Sequence, residues 1–348
     1  MEIKRDYYLN KLISKKNNRL IKIITGIRRC GKSYLLNTIF TNYLLQNGVK
    51  QDHIVFVALD DISNEELLDP HKLNDYIRDQ RKDKDMYYVL LDEIQLVDKF
   101  VPLLNGLLRL DNVDIYVTGG NSKFLSSDIV TEFRGRGDEI RVYPLSFSEF
   151  LSVYDGSKYE AWKEYISYGG LPLVLLQKTS EDKVSYLNSQ QKNVYLNDVI
   201  ERNKVNNDKE LYELVEILAS GLGSLTNPLK LYNTFKSRNK ESTVTDKTIY
   251  SYLQYLEEAF LIEKAVRYDI KEKQYIETPY KYYFTDLGIR NSFLGFRQIE
   301  ESHIMENVIF NELKRRGYNV DVGVVEVREK DSRKRVEIDF VVNKGYDR

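Results

Sequence analysis

The sequence predicts an α/β chain built on a five-stranded parallel sheet, and three observations carry that reading. Strand-length apolar runs alternate with longer amphipathic stretches through the first half. A glycine-bounded turn, Gly26-Ile27-Arg28-Arg29-Cys30-Gly31-Lys32-Ser33, separates the first apolar run from the first amphipathic stretch. A later run closes on two adjacent carboxylates, Asp92 and Glu93.

The five strands are read at 20–25 (LIKIIT), 53–59 (HIVFVAL), 86–92 (MYYVLLD), 113–118 (VDIYVT) and 139–143 (EIRVY). In the helix after the turn, SYLLNTIFTNYLLQNG, helical spacing puts Leu35, Leu36, Ile39, Tyr43 and Leu44 on one face, and Gly48 ends it. After YPLSFSEFL (143–151) the strand pattern yields to helical text that runs to about residue 260. Three helices are read there, at 207–220, 229–237 and 245–262, followed by two short strands, IEKAVRYD and KYYFTD. Three helices and a two-stranded ribbon are the layout of a winged helix. A last helix, SHIMENVIFNELKRRGY, precedes the strands VDVGVVEVRE and VEIDFVVN.

The 348 residues and 41.0 kDa leave room for two or three domains of roughly 100–200 residues each. With 42% hydrophobic and 30% charged residues, net charge -1 and pI near 6.4, the composition is that of a soluble globular chain, and the charge gives no hint of nucleic acid. A single cysteine, Cys30, excludes an internal disulfide. With His53, His71 and His303 it cannot supply a usual Cys/His zinc cage. No stretch approaches the roughly 18 apolar residues of a membrane span, and Met1–Asp6 leads into no secretion signal, so a cytoplasmic location is expected.

The turn fits G-x-x-x-x-G-K-[ST] between a strand and a helix, the context in which that pattern binds phosphate. Its glycines let successive N–H groups converge on phosphate oxygens, and the helix offers its positive end to the same anion. Lys32 is expected to neutralise the β- and γ-phosphates and Ser33 to hold Mg²⁺, with Gly26, Ile27, Arg28, Arg29, Cys30, Gly31, Lys32, Ser33 and Tyr34 forming the contact stretch. Arg28 and Arg29 read equally as solvent-facing spacers, and Cys30 as a spacer before a redox thiol. Two carboxylates ending a buried strand are costly unless a metal or water uses them. Asp92 is therefore assigned to Mg²⁺ and Glu93 to the attacking water as general base, the bland reading being an acidic helix cap. At the tip of the next strand, in Thr118-Gly119-Gly120-Asn121-Ser122, Asn121 is the first candidate to orient that water and Thr118 the second; a plain turn is the alternative.

These residues, with ITGIRRCGKSYLL, LLDEIQ, TGGNSKFL, the Gly-Arg at 135–136, YPLSFSEFL, GGLPLVLL, DKTIYSYLQYLEEAFLI and MENVIFNEL…VEIDFVV in that order, resemble the AAA+/STAND-like P-loop ATPases of bacteria and archaea. Members of that family carry a C-terminal domain related to PD-(D/E)xK nucleases. The resemblance covers nearly the whole chain. It implies an ASCE-type P-loop core at 1–150, a helical lid at 151–205, a winged helix at 206–290 and a truncated nuclease-like unit at 291–348. It also implies adenine nucleotide, ATP or ADP, since no guanine-reading Asn-Lys-x-Asp run is present.

By the same resemblance Arg136, with Arg134 as competitor, is an arginine finger reaching the γ-phosphate held by a neighbouring subunit; a surface arginine paired with Asp138 or Glu139 is the alternative. Pro172 of GGLPLVLL is implied to contact the nucleotide and couple a lid to it, or else simply starts a helix. Two departures stand out. Gly120 occupies a place where serine is usual. Glu306 and Asp339 match the first two acids of the nuclease site, but VVNKGYDR offers no acid-x-Lys pair, so no nuclease activity is expected.

In the presumed recognition helix Ile249, Leu253 and Leu256 face inward, leaving a near-neutral outer surface. Lys236, Arg238, Lys240 and Lys247 are a modest supply of phosphate contacts, so DNA is a weaker expectation than an interdomain lever. The whole predicts a Mg²⁺-dependent ATPase, slow alone, that drives or gates movement of lid and winged helix in a homo-oligomer or with a protein partner. The alternatives are a nucleotide-gated switch with incidental turnover and a DNA-stimulated ATPase.

Overall fold

The computed structural model describes residues 3–119, 133, 135–238, 244–297, 300–329 and 332–345. They fall into two compact units, divided between Val142 and Tyr143. In the first, β1 (Ile21–Thr25), β2 (Ile54–Ala58), β3 (Tyr87–Asp92), β4 (Val113–Thr118) and β5 (Gly137–Arg141) form one sheet in the order β2-β3-β4-β1-β5. Every pairing is parallel. β3 thus lies two places from β1, with β4 between them, and the ends of these strands meet at one edge.

The strands read as continuous apolar runs because both faces are covered. Ile21, Ile23, Val89, Leu91, Ile115 and Val117 pack with Leu73 and Ile77 of α3 (Pro70–Gln80) and with Phe100, Leu104 and Leu107 of α4 (Phe100–Leu107). Facing the other way, Tyr116 packs on Phe40 at 4.6 Å between ring centroids. Phe40 belongs to α2, which starts at Lys32–Tyr34, passes through a π-helical turn at Leu35–Phe40 and ends at Thr41–Gln46. The π turn inserts one residue per turn and rotates the apolar face. Phe40 is fully buried as a result, whereas Ile39 and Tyr43, expected inside, are half-buried. Before β1 lies α1 (Asp6–Ser14), which buries Tyr8 and Leu12.

The second unit begins with α5 (Phe147–Leu151), α6 (Lys158–Tyr168), a short 3₁₀ turn (Pro172–Leu176), α7 (Ser180–Gln190) and α8 (Asn197–Asn203). The three helices expected next are present as α9 (Asp208–Ser220), α10 (Pro228–Arg238) and α11 (Asp246–Glu258), followed by β6 (Ile262–Asp269) and β7 (Gln274–Phe284). Ile249, Leu253 and Leu256 are buried as expected. The last of these helices stops at Glu258 instead of reaching 262. Phe260 turns left-handed (φ 57°), Leu261 N–H bonds Leu256 O at 3.0 Å and Phe260 N–H bonds Glu257 O at 3.0 Å, which closes the helix in a Schellman turn.

Beyond α12 (Leu287–Phe293) and α13 (Glu301–Arg315), β8 (Asn319–Glu329) and β9 (Ser332–Asn343) join the ribbon in one sheet of order β7-β6-β8-β9. The parallel β6–β8 pairing covers the edge that the β6–β7 ribbon would otherwise leave open. The ribbon of the 206–290 segment and the strands of the 291–348 segment therefore share a sheet. No helix among the described residues is long and apolar enough to cross a membrane.

Candidate nucleotide-binding site

The phosphate loop leaves β1 at Thr25 and re-enters regular structure at Lys32. Gly26 has φ 137°, and a Cβ there would lie 2.0 Å from the Val142 carbonyl oxygen, so only glycine fits. Gly31, at φ 95°, is the left-handed residue immediately before α2. Arg29 is also left-handed, at φ 63°, and points to solvent. Ile27 and Cys30 are buried and fix the loop from beneath, the Cys30 thiol donating to Val142 O at 3.4 Å. Cys30 is therefore a packing residue, which agrees with its reading as a spacer.

Lys32 is 5% exposed, and its ammonium donates to Gly26 O at 3.0 Å and Ile27 O at 3.2 Å. Two of its three N–H bonds brace the loop's entry, leaving one for a ligand. The main-chain N–H groups of Lys32 and Ser33 open a helix and have no protein acceptor among the described residues, as expected at an anion site. Ser33 and Tyr34 are exposed at the mouth.

Across the edge, Asp92 ends β3, buried at 5% exposure, and accepts a hydrogen bond from the Thr118 hydroxyl, with the Ser33 hydroxyl close by. Burial pushes the Asp92 carboxyl above the usual carboxylate range, against the opposing effect of those two hydroxyls. The Thr118 hydroxyl also accepts the Glu93 N–H at 3.0 Å. Glu93 itself is left-handed (φ 56°), a strained backbone for a non-glycine residue that this bond helps to hold. Its Oε2 accepts from the Gln95 amide. Asp92, Thr118 and Glu93 thus form one hydrogen-bonded chain across the ends of β3 and β4, beside Ser33 at the start of α2.

A buried carboxylate facing a helix-start hydroxyl, with its charge unbalanced, is the donor set that Mg²⁺ takes, and Ser33 and Asp92 fit it. The two side chains stand close together, and burial, with the charges of Glu93 and Asp60, disfavours the charged form of Asp92.

Other expected residues are placed elsewhere. Arg136 sits at the opposite edge of the sheet, its carbonyl accepting Ile21 N–H at 2.8 Å beside the start of β1. With about 3.3 Å of rise per strand residue, β1 separates it from its own phosphate loop by about 17 Å. Its guanidinium bonds Asn105 Oδ1 at 3.2 Å, not the Asp138 or Glu139 of the bland reading, and lines an open groove with Lys99 and Arg109. Pro172 lies in the second unit as the first residue of a 3₁₀ turn. Asn121 and Arg134 lie outside the described residues. Glu306 and Asp339 surround Lys281: Glu306 and Glu337 each bond its ammonium at 2.7 Å, and Asp339 lies 3.9 Å away.

Two contributors escaped sequence reasoning. Gln95 carries no motif signal beyond lying two residues after Glu93. Arg5, 4% exposed, donates to Cys30 O at 3.2 Å and lies over the Tyr8 ring at 4.7 Å. Its signal was faint, a lone arginine just before an amphipathic helix.

Loop, strand order and carboxylate pair define a P-loop ATPase domain of the AAA+ class. Accordingly, the family model described as an AAA domain matches residues 18–151, and that of a domain of unknown function (DUF8612) matches residues 159–300. The chain is 36% identical over 349 residues to an uncharacterised protein of Haemophilus influenzae, covering 99% of this chain and 84% of that one. It is 31% identical over 341 residues to an uncharacterised protein of Methanocaldococcus jannaschii, covering 92% and 72%. The chain belongs to the family of these two proteins. Among solved structures it is similar to the Aeropyrum pernix ORC2 protein in its ADPNP–ADP complexes, at 13% identity and TM-score 0.44, covering 88% of this chain and 92% of that one.

Proposed function

We propose that the protein binds ATP with Mg²⁺ and hydrolyses it, and that the nucleotide state moves or gates the second unit. The observation that carries this reading is the hydrogen-bonded chain Asp92–Thr118–Glu93, with the Ser33 hydroxyl beside Asp92, facing a loop whose lysine and helix-start amides have bonds to spare. Main-chain N–H groups of the loop hold the phosphate tail, and Lys32 gives its third N–H to the β–γ region. Mg²⁺, held by Ser33 and by Asp92 through water, would neutralise charge on the transferring phosphoryl group. Glu93, oriented by Gln95, accepts the proton of the attacking water. Thr118 keeps Asp92 and Glu93 in register, and Asn121 remains the candidate to orient the water. Arg136, remote from its own loop, serves a neighbouring copy's γ-phosphate, so turnover requires assembly. The deciding experiment is release of phosphate from ATP with and without Mg²⁺ by wild type and Glu93→Gln; equal rates in the two proteins defeat this assignment.

A second reading, a nucleotide-gated switch with incidental turnover, is favoured by one network in the second unit. Asp286, buried at the start of α12, accepts N–H bonds from Gly170 at 2.8 Å and Ile289 at 3.0 Å. Asn291 donates to Ile166 O at 2.8 Å and Ser167 O at 2.9 Å. A Cβ on Gly169 would lie 2.3 Å from the Asp286 carboxylate, so GGLPL is keyed to α12 and a shift of one moves the other. In that reading Pro172 contacts nucleotide, and the helical lid, winged helix and nuclease-like tail are the moved parts. A protein partner fits both readings better than DNA does.

A further inference from the structure

At the sheet edge away from the phosphate loop, the segments entering β2 and β3 bring three acids around one buried imidazole. His53 is 4% exposed and stacks on Tyr87 at 4.4 Å between ring centroids. Its Nδ1 lies 2.8 Å from Asp52 Oδ1, and its Nε2 lies 3.1 Å from both oxygens of Asp83 and 3.8 Å from Asp85 Oδ2. A carboxylate can only accept, so Asp52 fixes the proton of a neutral ring on Nδ1. The Nε2 lone pair then faces the lone pairs of the partly exposed Asp83 carboxylate at hydrogen-bond distance. Facing acceptors repel, so this arrangement requires a cation between them, either a proton on Nε2 or a metal ion.

We infer that the cation is a divalent first-row metal ion of the zinc class, held by His53 Nε2, Asp83 and Asp85. With Zn–N and Zn–O bonds near 2.0–2.2 Å, ligands of a tetrahedral ion stand about 3.4 Å apart, a value that the 3.1 and 3.8 Å separations bracket. A proton on Nε2 accounts for Asp83 alone; Asp85, whose N–H donates to Asp83 Oδ1 at 2.9 Å, brings a further carboxylate to the same point, with ligand atoms of all three residues within 4.8 Å of one another. Lys50, 3.6 Å from Asp85, balances one of the three acids. The acidic loop is also built in advance: Asn112 Nδ2 donates to the carbonyls of Asp83 at 3.2 Å and Asp85 at 3.0 Å. Asp52, on the far ring nitrogen, is the carboxylate that orients a ligating histidine. The ion staples the entry of β2 to the entry of β3, closing the crossover that carries α3. Cysteine and histidine counting misses such a site because two of its three ligands are aspartates.

The test is independent of nucleotide chemistry. The full chain, stripped of metal and free of nucleotide, is titrated with Zn²⁺ against a chromophoric chelator, and with Co²⁺ for its visible ligand-field bands. Wild type is expected to take up one equivalent with bands typical of mixed nitrogen and oxygen ligands. Asp83→Asn and Asp85→Asn, both at exposed carboxylates, should each lower Zn²⁺ affinity tenfold or more, and Asp52→Asn about tenfold. His53→Gln should abolish the bands. Wild-type uptake unaffected by Asp83→Asn and Asp85→Asn, or no uptake by wild type, overturns the proposal and leaves His53 as an imidazolium between aspartates.

Discussion

The guanidinium of Arg5 donates to the carbonyl of Cys30 at 3.2 Å in the buried floor of the phosphate loop. A loop whose N–H groups converge inward turns its carbonyls outward, and an outward carbonyl in a buried floor needs a donor. Arg5, at the start of α1, supplies it and ties that helix to the loop. Arg5→Ala leaves the carbonyl unsatisfied, at a cost of about 1–3 kcal/mol. Nucleotide affinity, measured by calorimetry, should weaken roughly tenfold with a smaller change in turnover at saturation, and Arg5→Lys should recover part of the loss. Unchanged affinity in Arg5→Ala would assign the contact to folding alone.

Lys32→Ala removes both the loop brace and the phosphate contact, and is expected to abolish detectable ATP binding. Glu93→Gln keeps the shape and the bond acceptor but not the base. It should bind ATP as wild type does while releasing phosphate at least about 100-fold more slowly. Quenched-flow or steady-state phosphate release distinguishes the two.

Thr118→Val replaces a hydroxyl that serves the buried Asp92 and the half-buried Glu93 with an apolar group of the same shape. Asp92 loses a donor and the Glu93 N–H loses its acceptor. The chain is expected to lose about 1–3 kcal/mol of stability by denaturant unfolding and turnover to fall about tenfold or more, with ATP affinity little changed. An equal loss in affinity and turnover would argue against a positioning role.

In the proposed finger role Arg136, at the sheet edge opposite its own loop, acts through a second copy. Activity per chain should rise with protein concentration, and Arg136→Ala should flatten that rise without altering ATP binding. Mixing Arg136→Ala with Glu93→Gln, each deficient alone, should restore activity; failure to do so counts against a finger in trans.

Burial raises the Asp286 carboxyl to about 6, against the opposing N–H bonds from Gly170, Ile289, Gly288 and Leu171. In the unfolded chain the group titrates near 3.9. Between these values the folded state holds the proton more firmly, so this group's contribution to stability grows as pH falls from about 6 toward about 4 and is level outside that window. Asp286→Asn lacks the effect. The stability difference between wild type and Asp286→Asn should therefore move in favour of wild type by on the order of 1–2 kcal/mol between pH 7 and pH 5, read by urea unfolding.

Much of the first unit was legible because its signals are local. Five apolar runs became five strands, and Gly26, Gly31, Lys32 and Ser33 fall where the spacing of a strand, turn and helix puts them. Less was legible where the backbone departs from a regular period. The π turn that buries Phe40 and the left-handed Phe260 that ends α11 leave no mark on a helical pattern. In the second unit the helices were readable one by one, whereas the pairing of β6 with β8 joins residues about 55 apart in the chain and has no local signature.

The sequence by itself determined the glycine-bounded loop and the two carboxylates at the end of β3, because residue type and spacing decide which main-chain conformations and charges can stand there. Only the tertiary structure decided which distant side chains complete them. Arg5 reaches Cys30, Thr118 bridges Asp92 to Glu93, Asp52 and Asp83 close on His53, and Asp286 locks Gly170. Each of these is a polar group buried by packing and obliged to find a partner, and the partner is whichever group the sheet order and chain crossings bring within hydrogen-bond reach.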